Sequence, residues 1–383
     1  MILAFDTSAL SNQLRYSGIH RYSVTLLREF QKFADSNGCV TLRVFSSNGH
    51  SDEVSNLKPS SGVEILHARG LQHSRFWTLG GLALAALHAG ADLVFSPSFY
   101  TCPWGLVPTV VTIHDVTPLT SPTWFGWTNK VERAFLWNAT KFSRKLVADS
   151  ECTRNDLISN YGLLPEKTAV VYLGYDRDRF NGIAAETAEQ SVVFARCQIR
   201  SPYILHHGTI QPRKNLERLI QAYGLLMERC PDLGLDLVLA GPLGWHYDHV
   251  VRTANDYAGP GRVILTGPTT EHELPLLVKG AALCVIPSLY EGFCLPMLEA
   301  MACGVPTIVS NTSCLPEVSG GILRYFDPLS VEDMAAAMEK ATCDSSVRGE
   351  LVTNGIRRAA EFSWERCARE TLEVLISLHE NRA

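Results

Sequence analysis

The sequence predicts two doubly wound, Rossmann-like α/β lobes facing a central cleft, on three observations. Short runs of Val, Ile and Leu alternate with amphipathic stretches along the chain, the pattern of parallel strands buried on both faces by helices. The rhythm breaks once, at 176–200 (DRDRFNGIAAETAEQSVVFARCQIR), and then resumes. A chain of 383 residues has room for two domains of ordinary size, and 46% hydrophobic against 19% charged residues is the composition of packed cores.

In the first lobe, assigned to 1–180, strands are expected at ILAFD (2–6), VTLRVFS (40–46), VEILHA (63–68), DLVFSP (92–97), TVVTIHD (109–115), KLVADS (145–150) and TAVVYLG (168–174). Helices are expected near 18–34, 76–89, 127–143 and 152–160. Residues 176–200, polar and rich in small side chains, read as the linker. In the second lobe, 200–361, strands are expected at YILHHG (203–208), LDLVLAG (235–241), RVILTG (262–267), LCVIPS (283–288), PTIVS (306–310) and LRYF (323–326). Helices there are expected near 215–229, 247–257, 271–279, 296–303, 331–342 and 346–360, and the tail, 362–383, has helical periodicity. Ligands of such folds sit beyond the carboxyl ends of the strands, so functional residues are expected in the loops after these runs.

The net charge of −5 gives no reason to expect a nucleic acid partner. Residues 1–180 carry 17 basic and 15 acidic residues, leaving 17 and 24 for the rest, so the first lobe is mildly basic and the second acidic. Eleven cysteines, an odd number with no pair at CxxC spacing, favour a reducing compartment and no zinc. MILAFDTSAL lacks the basic start and apolar core of a signal peptide, and the apolar stretch 76–95 contains His88 and Asp92, so a cytoplasmic protein is expected.

The segment from Glu291 to Glu299 (EGFCLPMLE) follows a strand-like run and opens a helix with Pro296 near its first position, where a missing N–H is harmless. The free N–H groups of such a helix end favour an anion. One carboxylate in the loop and one on the first turn can bracket a ligand by accepting hydroxyl hydrogen bonds, as sugars and ribose require. Read singly, Glu291 is equally a helix cap and Glu299 a solvated helix residue. Arg213 and Lys214 form a compact cation pair after a strand and Gly208, suited to a diphosphate. His114 and Asp115 end a strand where α/β lobes present functional side chains.

These residues together resemble the retaining glycosyltransferases of family 4, which have the GT-B fold. Glu291–Glu299 resembles the family's E-x7-E motif, Ser17-Gly-Ile-His-Arg-Tyr22 its SGIGRY loop, Thr112–Asp115 its THD strand end and Gly208–Asn215 its GxxxPRKN phosphate loop. Phe362–Trp364 and the last helix resemble the segment that crosses back to the first lobe. His20 stands where that loop more often has glycine, and Thr209 where many members have arginine.

The resemblance implies an acceptor-binding first lobe and a second lobe that binds the nucleotide sugar. Glu299 would bind ribose and Glu291 the donor sugar's hydroxyls, with Arg213 and Lys214 on the diphosphate and the backbone of Phe293, Cys294 and Leu295 facing sugar and phosphates. Gly18 would let the backbone approach the donor phosphate or the acceptor, Thr209 would line the donor side, and the base would be read near Thr266, Gly267 and Pro268. His114 would lie near the anomeric centre, and Asp115, His20, Arg21 and Tyr22 on the acceptor side.

It further implies a hexosyltransferase acting with retention, the leaving diphosphate taking the acceptor's proton, with no metal and no cofactor beyond the nucleotide-sugar co-substrate. The PRKN subgroup favours GDP-mannose over a UDP-sugar, and a saccharide or lipid-linked saccharide acceptor in O-antigen or exopolysaccharide synthesis. Lys130, Arg133, Lys141 and Arg144 recur at near-helical spacing, a basic face for peripheral contact with an anionic membrane or simply a solvated one. A nucleotide-sugar epimerase of the same fold and a non-catalytic sugar-binding relative are the alternatives.

Overall fold

The computed structural model describes residues 1–10, 18–46, 59–67, 77–99, 106–120, 128–182, 188–200 and 202–381. The chain divides into two compact units, Met1–Gly174 with Trp364–Ala383, and Tyr175–Ser363. Each is a parallel sheet with flanking helices.

The first unit contains β1 (Ile2–Phe5), α1 (Gly18–Asn37), β2 (Thr41–Ser46), β3 (Val63–His67), α2 (Leu82–His88), β4 (Leu93–Ser96), β5 (Thr109–Ile113), α3 (Thr117–Thr120), α4 (Thr128–Phe142), β6 (Lys145–Ala148), α5 (Glu151–Tyr161) and β7 (Thr168–Val170). The seven strands run in the order β3-β2-β1-β4-β5-β6-β7, so the order reverses between β1 and β4. All residues of β4 and β5 are buried, as their unbroken apolar runs require. Gly80, at φ 155°, kinks the chain before α2, so the helix expected from 76 is shorter.

The second unit contains α6 (Ala188–Cys197), β8 (Tyr203–His207), α7 (Leu216–Arg229), β9 (Asp236–Ala240), α8 (Asp248–Asn255), β10 (Val263–Gly267), α9 (Glu273–Lys279), β11 (Leu283–Ile286), α10 (Leu295–Ala302), β12 (Thr307–Ser310), α11 (Leu315–Ser319), β13 (Arg324–Phe326), α12 (Val331–Cys343) and α13 (Ser345–Ala359). Its six strands run β10-β9-β8-β11-β12-β13, reversing between β8 and β11. The last helix, α14 (Trp364–Glu380), belongs to the first unit, where it packs on α1 with Trp364, Cys367, Leu372 and Leu375 buried.

Residues 176–200 differ from the linker expected there. Outside 183–187, which lie beyond the described residues, they form part of the second unit. Gln190, Val193, Phe194 and Cys197 are buried on one face of α6, at helical spacing hidden among polar neighbours. The Gln190 side chain donates to Leu276 O at 2.9 Å, and the Phe194 ring meets Tyr203 edge-on at 5.5 Å. Arg177 donates to the carbonyls of Ala360 and Phe362 at 2.7 and 2.9 Å, closing the open end of α13.

Candidate active site

In the second unit the loops after β8 and β11 meet at the point where the strand order reverses, the ordinary ligand position of such sheets. Gly208 leaves β8 at φ 139°, and a side chain on Gly241, which follows β9 at φ 147°, would start 2.2 Å from Gly208 O, so the loops after β8 and β9 touch backbone to backbone. Pro212–Lys214 make a single 3-10 turn. Asn215 ends it in the left-handed conformation and ties it down, its amide donating to Pro287 O (3.1 Å) and Pro328 O (2.7 Å).

That turn delivers both cations to one carboxylate. Glu291, 4% exposed, accepts from Lys214 Nζ at 2.5 Å and Ser288 Oγ at 2.6 Å on Oε1, and from Arg213 Nη1 at 2.5 Å on Oε2. Its own N–H donates to Ser313 Oγ at 3.0 Å. Burial alone would raise the carboxyl, but Arg213 and then Lys214 hold it down at about 2. Lys214 is itself buried and Arg213 partly so, which is not the exposed helix start that their sequence position allows.

Helix α10 starts at Leu295, with Pro296 in its first turn and no side chain capping it. Pro296 has no N–H and that of Met297 donates to Cys294 O at 3.2 Å, which leaves the Leu295 N–H at the open end of the helix. Cys294 precedes it at φ 78°, a conformation that costs a side-chain-bearing residue about 1–2 kcal/mol. Burial pushes the Cys294 thiol up to about 12, so it is not a nucleophile at neutral pH. Phe293 is buried edge-on against Phe362 at 5.8 Å. Glu299 points inward, 2% exposed, its Oε2 lying 3.7 Å from Nδ1 of His207, whose Nε2–H donates to Pro296 O at 3.2 Å. Glu299 is therefore not a solvated helix residue. Thr209 and Gly267 are partly exposed, Gly267 at the carboxyl end of β10 with its carbonyl accepting from Gly241 N. Two cations, two carboxylates and an uncapped helix end thus gather at the carboxyl end of the sheet's central strands, which suits a polyanion bearing hydroxyls.

In the first unit, His114 follows β5 with both ring nitrogens engaged, Nδ1 to Asp149 Oδ2 at 2.7 Å and Nε2 to Pro97 O at 2.9 Å. Pro97 O can only accept, so Nε2 carries a hydrogen, and the Asp149 carboxyl beside Nδ1 favours a second one there. Burial pushes its pKa down, but the Asp149 carboxylate outweighs that and the net shift is upward. Asp149 was not legible in the sequence. Asp115 Oδ1 accepts from Thr117 N at 3.0 Å and so starts α3. Gly18–Tyr22 form the start of α1 and not a loop: Gly18 is exposed, Arg21 partly so, and His20 and Tyr22 are buried, while Ser17 lies outside the described residues. Tyr22 packs edge-on against His114 at 4.9 Å and shares a hydrogen bond with Thr112 Oγ1 at 2.9 Å. It supports the histidine from below. On α4 and just after it, Lys130, Arg133, Lys141 and Arg144 are all exposed, and so are Val131, Trp137 and Phe142.

Comparison with known proteins agrees with this geometry. Family models match residues 197–358 ("Glycosyl transferases group 1") and 16–179 ("Glycosyltransferase Family 4"). O-antigen chain mannosyltransferase B of Escherichia coli is 30% identical over 389 residues, covering 98% of this chain and 99% of the relative. The serotype-specific mannosyltransferase WbdA of Escherichia coli is 31% identical over 318 residues, 76% of this chain but 37% of that longer relative. Among solved structures, Anabaena Alr3699/HepE in complex with UDP and glucose superposes with a TM-score of 0.73 at 18% identity over 98% of this chain and 99% of that one. WaaG, a glycosyltransferase involved in lipopolysaccharide biosynthesis, gives 0.70 at 15% identity over 98% of this chain and 99% of that one. With a relative matched from end to end and a family model on each half, the chain belongs to glycosyltransferase family 4 and has the GT-B fold.

Proposed function

We propose that this glycosyltransferase moves a hexosyl group, mannose from GDP-mannose in first place, with retention onto a saccharide or lipid-linked saccharide of a growing surface polysaccharide. The observation that carries the reading is the convergence of Arg213 and Lys214 on buried Glu291 beside the uncapped start of α10. A diphosphate entering there competes for both cations and frees the carboxylate for sugar hydroxyls. The positive charge that the leaving diphosphate needs then comes from Arg213, Lys214 and the helix end, preorganised before the reaction. The diphosphate itself takes the acceptor's proton. His114, with both ring nitrogens engaged by Asp149 and Pro97, is given no part as a base. The mannosyltransferase relatives support the sugar, and the UDP complex of the Anabaena neighbour makes UDP-glucose the competing donor to test.

The test is a melting screen with GDP, UDP and their sugars, followed by turnover with saccharide primers in EDTA. A nucleotide at 100 times its Kd raises stability by about 2.7 kcal/mol. The expected result is stabilisation by GDP and an axial product with mannose from GDP-mannose, unchanged by the chelator. An inverted anomer, a C2-epimerised sugar or binding without transfer overturns the reading.

The acceptor side carries a second expectation. No helix among the described residues is long and apolar enough to cross a membrane. Trp137, 53% exposed among the exposed cations of α4, is instead suited to lie at a lipid surface. The protein is expected to sediment with phosphatidylglycerol vesicles and not with phosphatidylcholine ones, and W137S with K130E/K141E to remain in the supernatant.

A further inference from the structure

His206, on β8, is 1% exposed and half satisfied: Nδ1–H donates to Val285 O at 3.0 Å, while Nε2 has no hydrogen-bond partner among the described residues. A buried acceptor left without a donor costs about 1–3 kcal/mol, so its retention calls for a reason. The Val285 bond fixes the tautomer with the lone pair on Nε2. Burial and then the Lys214 cation hold the imidazole at about 3, and it stays neutral.

Nε2 lies in the neighbourhood of Lys214. A Cβ built on Gly208 would stand 4.0 Å from His206 Nε2 and 3.9 Å from Lys214 Nζ, so acceptor and ammonium flank the same small space over a partly exposed glycine. Lys214 Nζ has three hydrogens, of which Glu291 takes one. We propose that His206 is a positioning residue for Lys214: when a diphosphate draws one ammonium hydrogen, Nε2 accepts another and holds the charge over Gly208. A neutral acceptor suits this task because a second cation beneath Lys214 would repel it, and a carboxylate would compete with the phosphates.

The proposal rests on the diphosphate reading above, and the experiment separates the two. Binding of nucleoside diphosphate to the wild type tests that reading; if none binds, both fall. The variants H206F and H206Q then test the inference, with diphosphate and monophosphate of the same nucleoside as probes. H206F is expected to lose about five- to tenfold in diphosphate affinity, the net effect of one ordinary hydrogen bond, and less than twofold in monophosphate affinity. H206Q, which keeps an acceptor near the position of Nε2, is expected to bind diphosphate within about threefold of wild type. Equal losses for both nucleotides, no loss in H206F, or a tenfold loss in H206Q at unchanged melting temperature overturns the proposal. Should H206F not fold, H206M, apolar and adaptable in shape, takes its place with the same expected split.

Discussion

Glu291→Ala is expected to abolish measurable transfer and to cost about 3–5 kcal/mol of stability, because it strips the counter-charge from two cations, one of them buried. The two effects separate in Glu291→Gln, which still accepts from Ser288 or Lys214 but carries no charge. Its turnover is expected to fall about 10²–10³-fold, the usual loss when one preorganised electrostatic group is removed. The pH dependence has a definite sign. The folded carboxyl sits at about 2 against an ordinary 4.5, so its stabilisation is present above 4.5 and disappears as pH falls through 2. The stability gap between wild type and Glu291→Gln should therefore narrow only in that acid window. Chemical denaturation from pH 7 to 2.5 checks this, and wild-type turnover in Glu291→Ala/Lys214→Ala would sink the site assignment.

His114→Phe is expected to have the second largest effect. Asp149 is 2% exposed, and its Oδ1 already lacks a hydrogen bond among the described residues. Losing His114 leaves Oδ2 bare as well, a loss of about 3–5 kcal/mol for a broken buried pair. His114→Phe/Asp149→Leu removes the stranded carboxyl and should regain much of that stability without regaining activity. If the double variant is no more stable than the single one, the Asp149 contact does not account for the loss. The imidazole is raised above its ordinary 6.5, so its contribution is complete below 6.5 and fades as pH rises through the folded value. Unfolding free energy of the wild type should accordingly decline on the alkaline side, and that slope should be absent from the double variant.

What could be read from the sequence divides by distance along the chain. The two sheets were legible because each strand is a local apolar run, and Glu291 and Glu299 because their spacing lies within one loop and one helix turn. The partners that define the chemistry were not. Glu291 finds Arg213 across 78 residues, and His114 finds Asp149 across 35, with no local pattern to announce either. His206 and His207 read as strand residues and proved to lie under Lys214 and Glu299. Tyr22, placed on the acceptor side by the family resemblance, has a ring contact with His114 that its motif did not announce. Helix α6 did leave a sequence signal, four inward residues at helical spacing, which its polar neighbours obscured.

The allotment of α14 to the first unit has a consequence for synthesis. Tyr175–Ser363 is continuous in the chain, whereas the first unit needs residues 1–174 and the final stretch from Trp364. A ribosome makes the amino end first, and domains generally fold as units in that order. Here the earlier-made unit must wait, with the α1 face that receives Trp364 and Leu375 uncovered, until the later-made one has already emerged whole. In the order of synthesis the second unit is thus complete before the first, whose α1 face gains its apolar cover last.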